Sequence, residues 1–132
     1  MKLLQAFRER RIRSKTPWWL HHDVLINDFG IQLRSQVPGV ADSKELRWQS
    51  ITKAYVFKQD LLTTDLICLA ITDGDTTLEA NEEMSGWENL IKQTEQQLEG
   101  SVPYSEWWAR VFQPAFQESL QVIYEALSLI HI

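Results

Sequence analysis

Six consecutive apolar residues, Leu66-Ile67-Cys68-Leu69-Ala70-Ile71, constrain this chain more than any other feature. As a helix the run falls far short of the about 20 residues that cross a bilayer. Flanked by turn-forming residues, it reads as a strand over Asp65 to Asp73. Successive strand side chains alternate, so Ile67, Leu69 and Ile71 share one face and Leu66, Cys68 and Ala70 the other. A strand apolar on both faces has to be covered on both.

The neighbouring sequence supplies partners for that strand. Thr52 to Asp60 is rich in β-branched and aromatic residues and predicts a strand. Leu61 to Thr64 forms the turn, and Gly74-Asp75 returns the chain into a third strand over 76–81. The result is a meander from 51 to 81. Upstream, two short β-runs near 23–27 and 31–35 flank Asn27-Asp28-Phe29-Gly30, where Gly30 is expected to supply the positive φ of a bulged hairpin loop. Val37 to Ser43, with Pro, Gly, Asp and Ser, reads as a loop.

Helical spacing takes over after residue 84. Ser85-Gly86-Trp87-Glu88 matches a capping box, and Trp87, Leu90, Ile91, Thr94 and Leu98 form one stripe. Gly100 is expected to end this helix. Ser105 reads as the N-cap of a second, Glu106 to Phe112. Pro114 is expected to break that helix or begin a new one, and the last segment predicts a helix of about three turns with Phe116, Leu120, Ile123, Tyr124 and Leu127 on one face, ending near Ser128. At 132 residues the chain is expected to be one α+β domain: a leader over 1–16, a meander plus capping helix over 23–98, and C-terminal helices over 104–128.

Charge is divided along the chain. Residues 1–16 hold Lys2, Arg8, Arg10, Arg11, Arg13 and Lys15 against Glu9 alone, although the whole chain carries 13 Lys plus Arg and 18 Asp plus Glu. An acidic body without a basic stripe makes nucleic acid an unsuitable partner. The leader reads as a short helix or arm whose Leu3, Leu4 and Phe7 rest on the domain. Alternatively, those residues insert into a membrane while Arg8, Arg10, Arg11 and Arg13 meet anionic headgroups. The single cysteine, Cys68, cannot form an internal disulfide, and the apolar start of the chain is broken at Arg8, so a cytoplasmic location is expected.

Reactive constellations are sparse. His21 and His22 are adjacent and point to opposite faces of an extended chain, a poor metal pair, so no metal or other cofactor is expected. A small enzyme centred on either histidine stays open as a lesser alternative. Asp73, Asp75, Glu79, Glu82 and Glu83 lack calcium-loop spacing and read as a solvated rim. The pairs Trp18-Trp19 and Trp107-Trp108 are expected first to close the two ends of the sheet core, one member of each facing inward; the alternative is that the outward members form a binding patch.

The hairpin Val24 to Leu33, the Trp48-x-x-Ile51 step, the meander and the helix opened by Gly86-Trp87 together resemble the bacterial pleckstrin-homology-like domains. The segment Glu79 to Trp87, with Trp107-Trp108 and Pro114-Ala115-Phe116, is also similar to small uncharacterised bacterial proteins. The resemblance implies a bent antiparallel sheet of about five to seven strands, a partial barrel capped by an amphipathic helix, serving as a binding scaffold. The expected function is a non-enzymatic protein-interaction module, immunity or regulation being such a role. Its acidic, Trp-bearing face (Trp18, Trp19, Trp107, Trp108, Glu79, Glu82 and Glu83) would bind another protein. The apolar tail Leu127 to Ile132 suggests a homodimer.

Overall fold

The computed structural model describes residues 18–37, 43–60, 64–112 and 119–126. Two antiparallel sheets and two helices make up this part, an α+β arrangement without a closed barrel. The first sheet has the order β1 (His22–Ile26), β2 (Gly30–Ser35), β3 (Ser43–Arg47). The second is a meander of β4 (Lys53–Asp60), β5 (Asp65–Thr72) and β6 (Thr77–Asn81), with β7 (Ser119–Glu125) added on the free side of β4. Helices α1 (Trp87–Gln97) and α2 (Tyr104–Phe112) follow one another in the chain.

β5 behaves as its composition requires: every residue from Leu66 to Ile71 is buried. It sits between β4 and β6 in continuous register, Phe57 opposite Cys68 and Cys68 opposite Asn81. One face carries Ala54, Val56, Ile67, Leu69, Ile71, Leu78 and Ala80, all buried. The helices pack on this side. Leu90, Thr94 and Leu98 of the α1 stripe are buried, as are Trp107 and Val111 of α2.

Lys58 locks α2 to this sheet. Its side chain is fully buried, its Nζ lies 3.8 Å from Asp65 Oδ2 across the β4–β5 pair, and it donates to the Phe112 carbonyl at 2.7 Å. That carbonyl ends α2, where the helix leaves acceptors unsatisfied and its dipole favours a cation. Ser119 of β7 donates its hydroxyl to the Val111 carbonyl at 2.6 Å, so the same helix end is held by two strands.

Several sequence expectations are corrected. The third helix expected up to Ser128 is β7 over Ser119–Glu125, paired antiparallel with β4, so 104–128 holds one helix and a strand among the described residues. β3, expected as loop and lead-in, is a strand with only Leu46 buried. Gly30 opens β2 without a positive φ, because Asn27 makes the turn instead: its Oδ1 accepts from the Phe29 and Gly30 amides at 2.8 and 2.9 Å. Gly30 is required for another reason, since a Cβ there would strike the Leu46 carbonyl oxygen. The capping box does not form. Gly86, at φ 91°, precedes α1, and the Ser85 carbonyl accepts from the Val24 amide at 3.3 Å. Ser105 lies inside α2, whose first amide, that of Tyr104, is satisfied by Glu95 Oε1 at 2.7 Å. Pro114, Phe116 and Leu127 lie outside the described residues.

Asp73 folds the β5–β6 hairpin, its Oδ1 accepting from the Thr76 and Asp75 amides at 2.7 and 2.9 Å. Those bonds, that to Thr76 foremost, hold its carboxyl below the ordinary value of 3.8. A depressed carboxylate stabilises the fold above its unfolded pKa and loses that contribution as pH falls through the folded one. Urea unfolding of wild type between pH 5 and pH 2 should therefore lose more stability than that of Asp73→Asn. Equal acid slopes would refute the assignment. Lys58→Met should leave the Asp65 carboxylate poorly compensated and lower unfolding free energy by about 3 kcal/mol. Adding Asp65→Asn should recover part of that loss in the same measurement.

Candidate functional site

α2 presents an aromatic ladder because its residues recur every four positions. Tyr104, Trp108 and Phe112 stand at i, i+4 and i+8, so they share one face. Trp108 and Phe112 stack with centroids 4.9 Å apart and planes 12° from parallel. Their exposures of 39% and 40%, with 42% for Tyr104, leave an apolar strip open to solvent. Trp107, one residue away, turns inward and is 2% exposed, meeting Tyr104 edge-on at 5.0 Å. The ladder therefore stands on a fixed core residue.

Beside the ladder, an open hollow of about 440 Å³ is lined by Trp87, Glu88, Ile91, Lys92 and Glu95 of α1 and by Tyr104 of α2. A second hollow of about 430 Å³ shares Trp87 and Glu88 and adds Glu82, Met84, Gly86 and Asn89. Trp87 and Glu88 thus line both hollows. Three carboxylates, Glu82, Glu88 and Glu95, border them, against one lining cation, Lys92. Glu95 is positioned by its bond to the Tyr104 amide and Glu82 by accepting from the Ile67 amide at 3.1 Å. Burial, and then the Glu82 charge, push the Tyr104 phenol above its ordinary 10.0, so it stays a neutral hydrogen-bond donor at neutral pH.

The residues singled out from sequence are distributed over different roles. Trp108 joins the exposed ladder, and Glu82 borders the hollow. Trp19 is buried, and its Nε1 donates to Glu83 Oε1 at 3.0 Å, which makes Glu83 a structural partner. Trp18 is half-buried, edge-on to Trp19 at 5.9 Å and to His22 at 5.5 Å. Trp107 is core. Glu79, expected in a solvated rim, is instead 3% exposed on β6, the edge strand of the four-stranded sheet, whose residues Leu78 to Asn81 are all buried. Arg8, Arg10, Arg11, Arg13 and the tail 127–132 lie outside the described residues. His21 is exposed and His22 half-buried, and neither lines the two hollows. Among the described residues no cluster of three metal-ligating side chains occurs, and no helix is long and apolar enough to cross a membrane.

Sequence reading passed over Tyr104, Phe112, Trp87 and Glu95 as site residues. The four-residue spacing of Tyr104, Trp108 and Phe112 was a legible signal for the ladder. The Glu95 bond to Tyr104 joins two helices and had no local signature. No protein family, curated protein or solved structure matches this chain.

The Tyr104 environment gives a direct test. In a pH titration followed by NMR at the Tyr104 ring, the phenol should ionise above 10.0, and Glu82→Gln should move that transition part of the way back, burial being the larger cause. An unchanged Tyr104 transition in Glu82→Gln would remove Glu82 from its field.

Proposed function

We propose that this chain is a protein-interaction module that uses the Tyr104–Trp108–Phe112 ladder and the adjoining acidic hollows to bind a partner with a basic, apolar surface. The observation that carries the reading is the stacked, solvent-facing Trp108–Phe112 pair on a helix whose other side is locked into the core. Stacked aromatics on rigid backbone lose little conformational freedom on binding, which is why such residues dominate interface energetics. The carboxylates Glu82, Glu88 and Glu95 would steer a cationic partner and fix its orientation, contributing more to association rate than to final affinity.

The architecture fits a binding scaffold. The strongly paired meander, the second sheet on its β6 side and the helix stripe of α1 are consistent with a pleckstrin-homology-like arrangement, read here as a half-open curl. A regulatory or immunity role follows naturally from a module with an acidic recognition face, and a cytoplasmic setting suits its buried free thiol.

Affinity capture from a lysate of the source, run in parallel with wild type and Trp108→Ala, tests the reading. The expected result is a protein retained by wild type and lost by the variant, released as salt is raised. Truncating a central aromatic should weaken its measured affinity by about 30-fold or more. Retention of the same proteins by both forms would overturn the proposal.

A further inference from the structure

The tip of the β1–β2 hairpin holds an exposed ring on a fixed stem. Phe29 is 81% exposed, the most of any large apolar side chain among the described residues. Its backbone is held on both sides: the amide donates to Asn27 Oδ1 at 2.8 Å, and the carbonyl accepts from the Trp48 amide at 3.0 Å. Trp48 is buried and fastens the same turn a second time, its Nε1 donating to the Asn27 carbonyl at 3.0 Å. A ring carried in this way gives up only its own rotamer freedom when it is covered, which is the property of an anchor residue. Beside it lies a hollow of about 450 Å³, lined in part by Trp48, Leu98 and Tyr124 and by the exposed charges of Asp28, Arg47 and Glu99. Arg47 forms an ion pair with neither carboxylate, so both signs of charge stay available to a docking surface.

We infer that this patch is the interface of a symmetric homodimer, in which Phe29 of each copy enters the hollow of the other and Arg47 of each faces the other's Asp28 and Glu99. A two-fold interface brings one patch against itself, so the patch has to contain a projection, a recess and charges of both signs. This one contains all of them. Glu99 stands just past the end of α1, where the helix dipole adds to its negative charge and favours an incoming guanidinium. With four fifths of its ring in solvent, Phe29 is no wall for a small zwitterion, and only a second macromolecular surface covers it. The chain carries a formal net charge of -5, so two copies repel on average and self-association requires a place where opposite charges meet. The hollows at the start of α1 show the contrast. Glu82, Glu88 and Glu95 border them against Lys92 alone, so a second copy of that surface would meet like charge, which suits it to a foreign cationic partner instead. One end of α1 thus serves self-association and the other end the partner.

Sedimentation velocity on the full chain tests the interface. Wild type is expected to be mostly dimer at about 100 μM, where even a micromolar dissociation constant drives association. Phe29→Ala, which keeps the backbone bonds of the turn, should weaken dimerisation by about 30-fold or more. Arg47→Glu sets three carboxylates together at each contact and should give a monomer. Asp28→Lys with Glu99→Lys, which faces Arg47 with two ammonium groups, should do the same. Mixed in equal amounts, these two charge-reversed chains should form a heterodimer, since one contact then keeps its native charges and the other has both signs exchanged. All four positions are exposed, and circular dichroism checks that each variant is folded. A monomeric wild type, a dimer undiminished by Phe29→Ala, or charge-reversed chains that stay apart on mixing would overturn the inference.

Discussion

Two-sided burial of β5 is the constraint from which the remaining structure follows. A strand with Ile67, Leu69 and Ile71 on one face and Leu66, Cys68 and Ala70 on the other cannot rest at an edge or on a surface. It requires a hydrogen-bonding neighbour on each side and a layer above and below. β4 and β6 are the neighbours, and α1 and α2 lie over one face. β4 is itself almost wholly buried, so it too needs a second neighbour, which β7 provides from far along the chain. The position of α2 is one outcome of this sequence of demands, because the helix is fixed where β4 and β7 present Lys58 and Ser119 to its last turn.

That fixation links stability to recognition. The ammonium of Lys58 is desolvated, and it is tolerated because a carboxylate, a carbonyl and a helix dipole all favour it in one place. Trp107 and Val111 anchor the inner side of α2, while Tyr104, Trp108 and Phe112 emerge on the outer side. An exposed aromatic ladder on a frayed helix would collapse or aggregate. On a helix clamped at both ends, by Glu95 at its start and by Lys58 at its finish, it keeps the spacing that a partner would read.

Much of this was legible in the sequence, and the failures have physical causes. The five strands with strong apolar character, β1, β2, β4, β5 and β6, fall within a residue of their expected ends, and so does the buried stripe of α1. β3, Ser-Lys-Glu-Leu-Arg, escaped because it buries Leu46 alone and owes its conformation to pairing with β2, a non-local cause. β7 was misread because Leu120, Ile123 and Tyr124 suit a helical stripe as well as a strand, and the deciding factor was the vacant side of β4. The Ser85 motif failed because Gly86 stands at φ 91° before α1, against the Val24 carbonyl, where a Cβ would clash, so the chain enters the helix without a side-chain cap. In the site, Trp108 was found from its pairing with Trp107. The carboxylates that matter were separated from those that do not only by the fold, which buries Glu79 and ties Glu83 to Trp19.

The register between β4 and β7 breaks at Ala54/Tyr55, where Ala54 faces Tyr124 and Tyr55 faces Val122, so Ile123 is an extra residue in the outer strand. A bulge at that point coils the strand more tightly and interrupts its row of outward-pointing amides and carbonyls. β7 is the last strand of its sheet and carries the half-open Val122, the composition that invites a foreign strand to add itself. With one residue too many, its rim offers no straight, in-phase ladder on which such an addition could propagate. The exposed aromatics of α2 and the backbone rim of β7 are thus two different kinds of surface: one open, the other broken out of phase.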